Sequence, residues 1–146
     1  MFGFPQFAKA QLSCQQTVNK VVRQIRSKGV PQVKTYLYKN QANTHNTGNP
    51  TNRKDILLIV MYNSDRNNIF NVGKVQNVVN SGQLQNTWAN SIVRSCGGTA
   101  VVAFTQDATD WLIEYAVQPN MSAKARQCVD SQPIFSWNEF YCPPGS

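Results

Sequence analysis

Charged side chains are scarce in this sequence: Asp, Glu, Lys and Arg make up 14% of its 146 residues, against about 25% in an ordinary soluble domain. Histidine occurs once, as His45, so any Ser/His/Asp or Cys/His catalytic set would have to use that one imidazole. It lies between Thr44 and Asn46 in an Asn-rich stretch, the setting of a solvated loop residue. Long apolar runs are missing as well. The longest, Ile56 to Met61, has six residues, far short of the roughly 20 that a membrane-spanning helix requires. There is no Gly-rich phosphate loop, because Gly97-Gly98 follows a helical pattern and reads as its stop. The four cysteines, Cys14, Cys96, Cys128 and Cys142, are too widely spaced for a paired-cysteine knuckle, and one histidine cannot complete a zinc set with them. No metal and no other cofactor is expected.

The sharpest absence is of acid. Residues 1–54 hold nine Lys or Arg and no Asp or Glu, whereas the remainder holds five basic and seven acidic residues. The net charge of +7 is therefore concentrated at one end of the sequence, and it points to an anionic partner or to a solubility device. Elsewhere polarity is carried by carboxamides: 16 Asn and 14 Gln form about a fifth of the chain. The length suits one domain with a core of its own.

Periodicity sets out the elements. Cys14, Val18, Val21, Val22 and Ile25 form the apolar stripe of a helix that Ser13 can cap and that Gly29 and Pro31 end. Lys20, Arg23, Arg26 and Lys28 occupy its remaining arc. Val33 to Asn40 suits a strand, and Gln41 to Arg53 a polar loop. Ile56 to Tyr62 is apolar on both faces, as a central strand is. Asn63 to Asn68 makes a turn. Ile69 to Val79 is a third strand or a helix: Val72, Val75, Val78 and Val79 fit helical spacing, while its Asn and Val content favours strand. A second main helix runs from Gln83, with Leu84, Trp88, Ala89, Ile92 and Cys96 inward. Thr99 to Gln106 and Asp110 to Gln118 form a hairpin, and a short strand follows within Ala123 to Cys128. The expected fold is a single α+β domain over residues 13–142. It has an antiparallel sheet of four to six strands and two main helices, in the order helix, strands, helix, strands. Residues 1–12 are expected to be an arm or the remnant of a leader, and residues 143–146 a short tail.

An even cysteine count without a metal pattern predicts two disulfides and an oxidising compartment, secreted or periplasmic. Ala8-Lys9-Ala10 has the form of a signal-peptidase site, although Phe2, Phe4 and Phe7, interrupted by Pro5, do not make a full apolar leader. Four cysteines allow three pairings.

The stretch from Asn80 to Cys128 resembles a pattern in small secreted cyanobacterial proteins of unknown function. The matching residues are Asn80-Ser81, the helix ending in Cys96, Val101 to Thr105, Thr109-Asp110-Trp111 and Cys128. Gln118 to Ser122 stands where that pattern has a Gly-rich turn. The resemblance implies export, a helix on an antiparallel sheet and a Cys96 to Cys128 bridge, and it implies no activity. Beside that bridge, a second from Cys14 to Cys142 is expected, tying the first helix to the apolar tail of Ile134, Phe135, Trp137, Phe140 and Tyr141.

Three function classes follow. The first is an exported, non-enzymatic module that binds a protein partner or serves in an assembly. The second binds an anionic polymer, such as nucleic acid or acidic polysaccharide, or anionic lipid headgroups. Lys34, Tyr36 and Tyr38 alternate onto one face of their strand as a stacking platform, and Lys20, Arg23, Arg26 and neighbouring Lys39 would add charge to it. The third is a hydrolase built on Asp107, Asp110 and Glu114, although Asp at positions 107 and 110 also suits the turn of a hairpin.

Overall fold

The computed structural model describes residues 12–63 and 69–142. The arm or leader reading of residues 1–12 for all but Leu12, the turn from Asn63 to Asn68 for all but its first residue, and the tail at 143–146 lie outside them. The first helix, α1 (Cys14–Ser27), opens with a capping box: the Gln16 N–H donates to Ser13 Oγ at 3.1 Å and the Ser13 N–H to Gln16 Oε1 at 2.9 Å. Its stripe of Val18, Val21 and Ile25 is buried. Strand β1 (Gln32–Tyr38) follows, then the two-residue β2 (Asn46–Thr47) within the polar loop, then β3 (Asp55–Tyr62).

Ile69–Val79 is helix α2, not the strand that its composition favours. Val75, Val78 and Val79 recur at i, i+3 and i+4 and all are buried, and packing of that stripe outweighs a β preference of at most about 1 kcal/mol. The buried Gln85 amide donates to the Val78 and Val79 carbonyls, both at 2.9 Å, so the end of α2 is satisfied by a side chain of the next helix. That helix, α3 (Gly82–Ser95), is capped by Ser81 and closed at its far end by Arg53. Arg53 Nη1 donates to the carbonyls of Val93 at 2.6 Å and Thr99 at 3.2 Å, and burial lowers its pKa. The remaining strands are β4 (Thr99–Gln106), β5 (Leu112–Val117), β6 (Ala123–Ala125), β7 (Gln127–Val129), β8 (Phe135–Ser136) and β9 (Glu139–Tyr141).

The expected single α+β domain is what the chain forms, around a five-stranded sheet of order β1-β3-β4-β5-β6. The sheet is mixed, because β3 and β4 run parallel while the other neighbours are antiparallel. Two helices between β3 and β4 carry the chain back to the end where it started, which makes the next strand parallel.

Ile59, Met61, Phe104 and Tyr115 face the helices. There Phe104 stacks edge-on to Tyr115 at 5.8 Å and tilts against Trp88 at 6.4 Å. The opposite face carries Tyr36, Leu58, Ala103 and Glu114 in one row across β1, β3, β4 and β5. One end of that face is covered by the C-terminal segment, with Trp137 Nε1 donating to the Val117 carbonyl at 2.7 Å. Asn46 fastens the segment from the loop side by donating to the carbonyls of Ser136 and Glu139.

Both disulfides form, with pairings that correct the sequence reading: Cys14 joins Cys96 and Cys128 joins Cys142. The bridges expected from Cys96 to Cys128 and from Cys14 to Cys142 are absent. The reason lies in the packing of α1 against α3. The two helices run antiparallel, with Thr17 Oγ1 bonded to Ser95 Oγ at 2.8 Å and Trp88 Nε1 to Gln24 Oε1 at 3.0 Å. The start of one therefore meets the end of the other, and Cys14 and Cys96 come within 4.6 Å at Cα. Cys128 pairs in parallel register with Phe140, which leaves Cys142 just beyond the same ladder.

Candidate anion-binding face of the helical layer

The five exposed cations of the helices come from all three: Lys20, Arg23 and Arg26 on α1, Lys74 on α2 and Arg94 on α3. None of these helices contains Asp or Glu. The six acids among the described residues, Asp55, Asp107, Asp110, Glu114, Asp130 and Glu139, all lie in strands and connecting segments. The outer surface of the helical layer is therefore basic without internal neutralisation, and fields of like sign add where charges lie within a Debye length of about 8–10 Å.

Two concavities bring these cations together in groups. A groove of about 610 Å³ between α1 and α3 is lined by Lys20 and Arg94 together with Thr17, Gln24, Ser91 and Ser95. A shallower cleft of about 520 Å³ at the end of α1 is lined by Arg23, Arg26 and Lys74 beside Ser27, Gly29 and Pro31. Gly29 is what lets the second group form. Its φ is +101°, and a Cβ there would come within 2.3 Å of the Lys74 side chain. Only a glycine both adopts that backbone and leaves room for the lysine stem to cross it. Among the described residues, neither lining includes an acid or an aromatic ring.

The sequence-predicted residues divide between the two faces of the sheet. Lys20, Arg23 and Arg26 are on the helical side as expected. Lys34, Tyr36 and Tyr38 do share one face of β1, as the period of two requires, but that face points away from the helices. Lys39 is exposed just past the end of β1. The sheet thus separates Lys34 from the cations of α1, and Lys74 and Arg94 join the cluster instead. Both could have been found from spacing alone, since each falls on the polar arc of a helical pattern.

The other face offers a smaller constellation. Lys34 Nζ lies 5.4 Å from the centroid of the Tyr62 ring. The neighbouring Tyr36 hydroxyl, followed by burial and the nearby Asp107, raises the Tyr62 pKa. Deeper on the same face, Arg126 Nη1 meets Glu114 at 2.7 Å while its guanidinium stacks 4.5 Å from the Trp137 ring and its Nε–H donates to the Trp137 carbonyl. Burial lowers the Arg126 pKa, against the opposing pull of Glu114.

The carboxylate trio is not assembled. Glu114 pairs in register with Ala103, four residues along β4 from Asp107 and four along the chain from Asp110, a separation of roughly 13 Å at strand rise. Paired-carboxylate chemistry works at about 5–9.5 Å. Asp107 and Asp110 instead bracket a turn in which Ala108 has φ +61°, and Glu114 is engaged by Arg126. Among the described residues, no group of three His, Cys, Asp or Glu could hold a metal, and none of their helices is long and apolar enough to cross a membrane. His45 is exposed, and its carbonyl accepts from the Phe135 N–H at 3.0 Å. No protein-family profile, curated protein or solved structure matches the chain.

Proposed function

We propose that this protein is an exported, disulfide-stapled binding module whose helical layer holds an acidic polysaccharide. The observation that carries the reading is that the three helices hold no acid: their five exposed cations line two concavities that both border α1. The hydroxyl and amide groups beside Lys20 and Arg94 suit a ligand rich in sugar hydroxyls, and the described residues of both linings offer no ring for the stacking that single-stranded nucleic acid uses. Two disulfides fit an oxidising compartment and hence export.

Retention on immobilised heparin, read as a function of salt, tests this. Five contacts that release counterions give a log-log slope of about −3.5 to −4.5. Charge removal at Arg23, Arg26 or Lys74 flattens the slope by roughly one unit each, whereas Lys34→Gln leaves it unchanged. Elution at low salt, or equal loss on Lys34→Gln, contradicts the reading. Tighter retention on single-stranded DNA than on heparin would move it to nucleic acid.

A further inference from the structure

We propose that β1 is a self-association strand: Gln32–Tyr38 pairs antiparallel with the same strand of a second copy, joining two five-stranded sheets into one of ten. Strand β1 is the end of the sheet and has β3 as its single neighbour among the described residues, so its outer edge presents seven residues, about 23 Å, of unpaired backbone. The two ends of the sheet differ in how they are protected. At the far end, β6 is three residues long and carries Lys124, which are two common ways of blunting an edge. At the near end, β1 has no proline and no bulge in its pairing with β3, and its one charge is Lys34. Tyr36, Leu37 and Tyr38 are consecutive there and 41%, 50% and 46% exposed. Three large side chains left at a long flat edge are what association with another strand would cover.

The sequence of the strand argues for a second copy as its occupant. With a two-fold axis at Thr35, Val33 faces Leu37 of the second copy, Lys34 faces Tyr36 and Gln32 faces Tyr38. Apolar meets apolar on the helical side, and on the other side each lysine meets a ring, the contact that Lys34 already makes with Tyr62 at 5.4 Å. No like charges oppose one another. Because residues opposite one another in an antiparallel ladder share a face, both helical layers fall on the same side of the joined sheet. The proposed polysaccharide face is then doubled in width, and the two layers repel each other until salt or a polyanion screens them.

That repulsion gives the association a salt dependence opposite in sign to polyanion binding, so the two proposals fail separately. Sedimentation velocity should find a monomer–dimer equilibrium that tightens as NaCl rises from about 0.05 to 0.5 M. Leu37→Gln should weaken the dimer about tenfold, since its loss counts twice across the axis, and leave the salt slope of heparin retention per protomer unchanged. Tyr36→Lys sets lysine against Lys34 and should weaken the dimer by a similar factor, and the double exchange Lys34→Tyr with Tyr36→Lys should restore it. All these positions are exposed, so the circular dichroism of each variant should match the parent. A monomer at every salt and concentration overturns the proposal, and so does a dimer indifferent to Leu37→Gln. Failure of the double exchange to restore the dimer overturns the register. A monomer in which the β1 amides that point away from β3 also resist hydrogen exchange would place another segment of this chain on the edge and also overturns it.

Discussion

At the scale of the residue, the buried polar groups decide where segments attach. Arg126 is 4% exposed and ties Glu114 on the sheet to Trp137 in the C-terminal segment. Removing one partner of such a pair leaves the other charge buried and unanswered. Glu114→Gln is expected to cost about 3–5 kcal/mol in urea unfolding, and Arg126→Met added to it should recover much of the loss because no lone charge remains. Tyr115 is the aromatic counterpart. It is 2% exposed, its hydroxyl donates to Gln85 Oε1 at 3.0 Å, and burial raises its pKa. A phenol whose pKa is higher folded than unfolded contributes stability that is complete below the unfolded value near 10 and is lost as pH rises through the folded one. Unfolding free energy should therefore fall on titration above about pH 10, with Tyr62 adding to the slope. Tyr115→Phe should flatten that fall while losing the hydrogen bond at every pH.

At the scale of the element, the disulfides and caps fix which ends meet. By the chain-entropy treatment, a bridge spanning 82 residues is worth about 4.5 kcal/mol and one spanning 14 about 3 kcal/mol. Replacing Cys14 and Cys96 by Ala should lower the unfolding free energy more than replacing Cys128 and Cys142. Peptide mapping of the parent protein should recover those two pairs and no others. Gly29→Ala is expected to destabilise the protein, because it strains a positive φ and collides with Lys74. It should also weaken heparin retention through the displaced lysine. Most elements were legible from periodicity: the helix opened by Ser13, the doubly apolar β3 and the β4–β5 hairpin all stand where spacing places them. The segment Ile69–Val79, which periodicity and composition left open between strand and helix, had a consequence beyond itself. Read as a strand, that segment makes every connection look local and the sheet wholly antiparallel. As a helix it belongs to a crossover, and β4 must run parallel to β3.

At the scale of the whole molecule, charge is segregated by layer. The sequence shows it as an acid-free first third, but α1 supplies only three of the five exposed helical cations, and Lys74 and Arg94 arrive from later in the chain. Triple replacement of Arg23, Arg26 and Lys74 by Gln should reduce the magnitude of the heparin salt slope by about three units, with little change in thermal stability because all three are exposed.

What the sequence determined by itself is what depends on neighbours along the chain: the helix caps, the apolar stripes, the alternation that puts Lys34, Tyr36 and Tyr38 on one face, and the excess of basic over acidic residues. These follow from backbone periods of 3.6 and 2, which no distant contact alters. The tertiary structure decided the pairing of the cysteines, the direction of β4 relative to β3, and the companions of each cation. Those depend on which elements lie side by side. Cys14 meets Cys96 because α1 and α3 pack antiparallel across 82 residues of sequence, and Lys34 is parted from Arg23 because a sheet lies between a helix and the outward face of its neighbouring strand. Burial of the shared apolar surface sets that arrangement, and apolar attraction has no preferred partner until the elements are packed.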